Sequence, residues 1–125
     1  MREEVQLRFP ADGAYVSILR TVTAGVAARS QLTVDEIEDL RIAVDEACSL
    51  LLPHARPGAD LTATFTLEVG RIGFVAAVAA EPGADPDRGG FAWTVLRALA
   101  DDVTVTKDVD VLSIGLTKRR AALAQ

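Results

Sequence analysis

The stretch TVDEIEDLRIAVDEACSLLL, Thr33 to Leu52, decides how the rest of the chain is read. It predicts the longest helix. Thr33 followed three residues later by Glu36 is a capping-box pair: the hydroxyl accepts from the Glu36 amide and the carboxylate accepts from the Thr33 amide. Pro53 stops the helix, because its ring disfavours helix before it and it lacks the amide to continue one. At about 100° per residue, Ile37, Leu40, Val44, Ala47, Cys48 and Leu51 fall in one apolar stripe, the side a core would take. Glu46 lies on the other side with Asp39, flanked by Ile42, Ala43 and Leu50. A solvated face would not set Ile42 and Leu50 around a carboxylate. The helix is therefore expected to touch protein, or to line a cavity, on both sides.

Bulk properties bound what surrounds this helix. The 125 residues suit a single domain, 1–125, and with 50% hydrophobic residues a packed core is expected. A net charge of −5 argues against a nucleic-acid surface, which is normally basic. Cys48 is the single cysteine and cannot form an internal disulfide, so a reducing cytoplasm is the default. Met1 leads straight into charged residues, so no signal peptide is expected. No apolar run reaches the roughly 20 residues of a membrane span.

Outward from the helix, Val5, Leu7 and Phe9 alternate with Gln6 and Arg8 as in a half-buried strand that Pro10 ends. Asp12 is a candidate N-cap for a first helix from about Ala14 to Ala28, with Tyr15, Ile18, Leu19, Val22 and Val26 on one face. Arg20 projects about opposite, where its simplest reading is a solubilising charge. Pro53 to Asp60 is a turn-rich loop. Leu61 to Val69 alternates strictly with threonines and Glu68, and Gly70-Arg71 suits a hairpin link to the apolar run Ile72 to Ala80, an inner strand. EPGADPDRGG, Glu81 to Gly90, is a loop with three glycines, two prolines and two aspartates. Phe91 to Ala100 predicts a third helix, Val103 and Val105 start a strand, and Val111 to Thr117 closes the sheet. Lys118 to Gln125 is expected to fray.

Strand, helix, helix, strand, strand, helix, strand, strand predicts an α+β fold. It would be a two-layer sandwich, with a mostly antiparallel sheet and helices on one face. In that layout Glu46 faces the third helix and the glycine-bearing loop.

LRIAVDEACSLLLPHA (Leu40 to Ala55), RGGFAWTVLRALADDV (Arg88 to Val103) and SIGLTK (Ser113 to Lys118) together resemble anti-sigma factor kinases of the RsbW and SpoIIAB type. These belong to the histidine kinase-like ATPase superfamily, with its Bergerat-type fold, shared with gyrase and MutL. The likeness covers nearly the whole chain. It implies that Glu46 is the general base toward an incoming hydroxyl, that Gly89 and Gly90 approach phosphate, and that His54 matches a histidine just past the motif. It also implies that Arg20 matches an arginine that contacts partners, where a guanidinium suits bidentate pairing with a carboxylate.

The chain departs from the family pattern at the nucleotide. An asparagine four residues after the glutamate would hold magnesium, since residues four apart share a helix face. Here that position is Leu50, which offers no oxygen to a hard cation. The aspartate that reads adenine falls near Ala79, and only Gly83 stands for one of the glycines after it. About eight residues separate Ala80 from Gly89, a short lid. Ala92 replaces a later glycine, and Val111 and Leu112 replace a glycine-threonine pair.

Two functions follow from the resemblance. One is an anti-sigma factor that sequesters a sigma factor and is relieved by an anti-anti-sigma partner. It would act as a cytoplasmic homodimer without nucleic-acid or membrane contact and with no required cofactor. The other is an ATP- and magnesium-dependent serine/threonine kinase acting on the anti-anti-sigma factor. A third reading, a sensor-kinase remnant of the same fold, is disfavoured by the lack of a linker or second domain.

Overall fold

A computed structural model describes residues 2–121. The central helix forms as its sequence predicts: α2 spans Val34–Leu51. The Glu36 amide donates to Thr33 Oγ1 at 3.2 Å, and the Thr33 amide donates to Glu36 Oε1 at 2.8 Å, completing the capping box. Pro53 falls in a 3-10 turn, Leu52–His54, that ends the helix. Two further helices, α1 (Val16–Ala27) and α3 (Phe91–Leu99), flank it.

The sheet contains β1 (Glu3–Pro10), β2 (Asp60–Glu68), β3 (Arg71–Ala79), β4 (Asp102–Lys107) and β5 (Val111–Arg119), in the spatial order β1-β2-β3-β5-β4. All neighbours pair antiparallel. Leu61, Ala63, Phe65 and Leu67 of β2 and Ile72, Phe74, Ala76 and Val78 of β3 turn inward under the helices. Phe65 and Phe74 are opposite each other in register, with ring centroids 5.0 Å apart, an aromatic cross-strand pair at the centre of the core. The helix α2 lies over β3 and β5, with α1 on its β2 side and α3 on its β4 side. The expected two-layer α+β fold, with helices on one face, is the one observed.

Several expectations need correction. The strand Val111–Arg119 does not close the sheet: it inserts between β3 and β4, leaving β4 at the edge. Asp12 caps a 3-10 turn, Gly13–Tyr15, by accepting the Ala14 amide at 2.9 Å, and α1 starts only after it. The buried side of α1 is Val16, Leu19, Thr23, Val26 and Ala27. Tyr15 and Ile18 are exposed, because the helix rolls toward the sheet on its Thr23 side. Thr23 is tolerated there because its hydroxyl donates to the Leu19 carbonyl at 2.7 Å. The β2–β3 hairpin turns at Val69 and Gly70, one residue earlier than read, with Gly70 at φ +74° and Val69 exposed. The run Ile72–Ala80 is central but not buried on both sides: Val75 on the outer face is 46% exposed. Lys118 and Arg119 belong to β5 rather than to a frayed tail, while residues 122–125 lie outside the described residues.

Candidate functional site

Glu46 is half-buried on α2. Of its expected neighbours, Ala43 is fully buried and Leu50 is only 6% exposed, whereas Ile42 opens to solvent. The second face of α2 is thus covered by protein over Ala43 and Leu50 but not over Ile42, and α3 packs against α2. The helices are fastened by a residue that sequence reading had placed in the tail. Lys118 Nζ donates to the Leu99 carbonyl at 2.9 Å and pairs with Asp39 at 3.4 Å. An ammonium at the C-terminal end of α3 also meets the negative end of the helix dipole.

Gly89 and Gly90 open α3, with Gly90 at the N-cap in extended backbone. Their surroundings are already anionic. The Gly89 amide donates to Asp87 Oδ1 at 2.9 Å. A Cβ on Gly90 would come within 2.9 Å of Asp87 Oδ2, so Gly90 makes room for that carboxylate. The positions that the resemblance assigns to phosphate therefore face a side chain of like charge, which itself suits the positive end of the helix. The loop carrying Asp87 is tied down on several sides. Arg88 pairs with Asp85 at 2.6 Å and lies 5.5 Å over the Trp93 ring. Asp85 also pairs with Lys107 at 3.6 Å, Glu81 with Arg56 at 3.4 Å, and Pro86 is buried.

Magnesium and ATP, the ligands implied by the fold family, do not fit this donor set. Buried Leu50 supplies carbon where an oxygen ligand would be needed. Asp87 occupies the glycine amide. Among the described residues, no three His, Cys, Asp or Glu side chains gather so as to hold a metal ion. His54 is half-buried in the 3-10 turn that ends α2. Two clefts lie elsewhere. One, of about 180 Å³, is on the open sheet face and includes Gly73, Val75, Thr104 and Gly115; the other, of about 150 Å³, is beside Arg97 and Asp101.

The opposite flank of α2 is different. Arg20 of α1 reaches Asp45, with Nε 2.8 Å from Oδ1 and 2.7 Å from Oδ2. The expectation that Arg20 faces solvent holds only in part, since it is half exposed and paired. Asp45 was not singled out from sequence, and no local pattern links two residues 25 apart. Asp87, by contrast, had a legible signal: an aspartate two residues ahead of a glycine in a turn-rich loop, the spacing of an Asx turn. One turn from Asp45, Cys48 is buried, and burial together with the Asp45 charge pushes its thiol up to about 12. The thiolate that redox chemistry needs is thereby suppressed. At the start of α2, Glu36 also accepts the Ala121 amide at 2.6 Å. Burial pushes the Glu36 carboxyl up, but hydrogen bonds from Thr33 and Ala121 and the Lys118 charge outweigh it, and its pKa lies below the ordinary value.

Comparison with known proteins places this geometry. Residues 9–117 match the histidine kinase-like ATPase domain family. The chain is 34% identical over 125 residues to an anti-sigma-F factor, RsbW, of Mycobacterium tuberculosis, covering 94% of this chain and 74% of that protein. It is 38% identical over 77 residues to a serine-protein kinase, RsbW, of Bacillus cereus, covering 60% of this chain and 48% of the kinase. Among solved structures, the RsbU and RsbW domains of a Mycobacterium tuberculosis protein superpose with a TM-score of 0.71 at 15% identity, over 98% of this chain and 34% of that one. The kinase domain of a blue-light-activated histidine kinase from Erythrobacter litoralis gives 0.60 at 14% identity, over 89% and 61%. At these identities the structural matches speak to the fold. No helix among the described residues is long and apolar enough to cross a membrane.

Proposed function

The chain belongs to the histidine kinase-like ATPase domain family, and from that membership we propose that residues 1–125 act as one anti-sigma domain. It binds and sequesters a sigma factor and is relieved by an anti-anti-sigma partner, without depending on ATP. It works as a cytoplasmic homodimer with no membrane or nucleic-acid contact. The observation that carries this reading is Leu50. A chain alignable over 94% of its length with an anti-sigma-F factor has a buried hydrocarbon where the family's magnesium ligand would stand. In this reading Arg20 contacts the partner, and Glu46, Gly89 and Gly90 serve packing and helix capping.

Calorimetric titration with the purified sigma subunits of the same cell tests it. One subunit is expected to bind, and Arg20→Ala to weaken that complex by about tenfold, the scale of one charge-assisted contact, with an unchanged circular dichroism spectrum. Absence of heat with every sigma subunit would sink the anti-sigma assignment.

A kinase reading has one specific observation in its favour: the glutamate is retained and half accessible on the expected helix face, and the Bacillus relatives are named serine-protein kinases. A magnesium-dependent thermal shift with ATP that vanishes in Glu46→Ala would establish it over the binding role.

A further inference from the structure

Both hydrogen bonds that Arg20 forms among the described residues run through one atom, Nε, which sits between the two oxygens of Asp45. A guanidinium carries five N–H donors in a rigid fork, so one edge is held while the terminal edge keeps its donors for an outside acceptor. The exposures agree: the Arg20 side chain is 47% exposed and that of Asp45 only 26%. Asp45 is fixed in turn by its place in the middle of α2, the most heavily packed helix. An arginine free on a helix surface loses much rotamer freedom when it docks, and one already held along its inner edge loses less.

We infer that Asp45 is a positioning residue for partner capture. It holds the Arg20 guanidinium with the terminal edge presented to a carboxylate on the sigma subunit, so that the docked complex places one cation between two carboxylates. This rests on the partner-binding reading of Arg20. The two carboxylates lie on different edges of the guanidinium, with the cation between them. The Debye length at physiological salt, about 8 Å, is no shorter than the span of a guanidinium, so salt screens their repulsion only in part; the cation between them offsets the rest.

The test uses the intact chain and the sigma subunit that binds it most tightly among those purified from the same cell. Affinities are measured by calorimetry for wild type, Arg20→Ala, Asp45→Ala, Asp45→Glu and the double variant Arg20→Ala/Asp45→Ala, each with a thermal melt. Asp45→Ala is expected to weaken binding by about twofold, the most that a half-exposed ion pair can contribute by biasing the arginine toward its docked rotamer. Asp45→Glu recovers part of that loss, and Asp45→Ala adds nothing once Arg20 is gone. A purely structural role for Asp45 would give the same loss on the Arg20→Ala background, and that result overturns the inference. So does an Asp45→Ala protein that binds as tightly as wild type or tighter while Arg20→Ala is weakened, which leaves the Arg20 reading standing. If Arg20→Ala itself changes nothing, the Arg20 reading falls and this inference with it. If no sigma subunit binds, the proposed function falls and takes the inference with it.

Discussion

The two flanks of α2 have been put to opposite uses. By helical spacing Ala43, Glu46 and Leu50 share the face of Asp39, where the seam to α3 is closed by Lys118 bridging Asp39 to the end of α3, with Asp87 accepting the Gly89 amide at its start. Polar groups there are mostly spent on the protein's own backbone. Toward α1 the helix presents Asp45 to an arginine whose terminal donors are left over, in a half-exposed seam. One flank is thus largely internal packing, while the other keeps spare hydrogen-bonding capacity. The contrast is one of satisfaction: on the α3 side the Gly89 amide already has Asp87 as its acceptor, whereas the terminal donors of Arg20 have no partner among the described residues.

The sharpest way to break this contrast is to return polarity to the closed flank. Leu50→Asn removes a buried side chain and buries an amide in its place, and is expected to destabilise by about 3 kcal/mol. That corresponds to a fall of roughly 10 °C in the melting midpoint for a chain of this size. Arg20→Ala on the open flank should change stability by less than about 0.5 kcal/mol, because a half-exposed ion pair is largely screened. If magnesium and ATP restore the Leu50→Asn midpoint, the closed flank is a nucleotide site after all.

Lys118→Met comes next. It strips the Leu99 carbonyl and Asp39 of their shared donor; the Lys118 side chain is only 13% exposed, while that of Asp39 is 40% exposed and can rehydrate. A loss of about 1–2 kcal/mol in urea unfolding is expected. A change below a few tenths would mean that the seam is held by apolar packing alone. Gly90→Ala is smaller. The new Cβ pushes against the far end of the Asp87 side chain, which can swing aside at the expense of its bond to the Gly89 amide, for about 0.5–1 kcal/mol. Should the variant instead gain affinity for inorganic phosphate, displacing Asp87 would have uncovered an anion site.

The smallest expected effect is a slope. The Glu36 pKa is lowered in the folded chain, so its stabilisation is present above the unfolded carboxylate range and is lost as pH falls through the folded value. Wild type should therefore lose stability on acidification more steeply than Glu36→Gln, read as melting midpoints through the acid range. Equal slopes would show that the capping box and the tie to Ala121 carry no net charge preference.

What the sequence alone determined here is local. A capping box spans four residues, a β-strand announces itself by period two, and a hairpin needs only its turn, so α2, β2, β3 and the order of all eight elements were legible. The residues of the candidate flanks were legible one at a time: Glu46 and Arg20 from the helix wheel and the family likeness. Their partners were not. Asp45 lies 25 residues from Arg20, and Lys118 lies 79 from Asp39. A side chain's choice of neighbour depends on how helices roll and cross, which no short-range pattern encodes. The same holds for β5, whose place between β3 and β4 is set by which strand edges remain free once the chain has crossed over α3. Only the packed structure decided that one flank of α2 is filled and the other still has donors to offer, because that depends on distances between segments far apart in the chain.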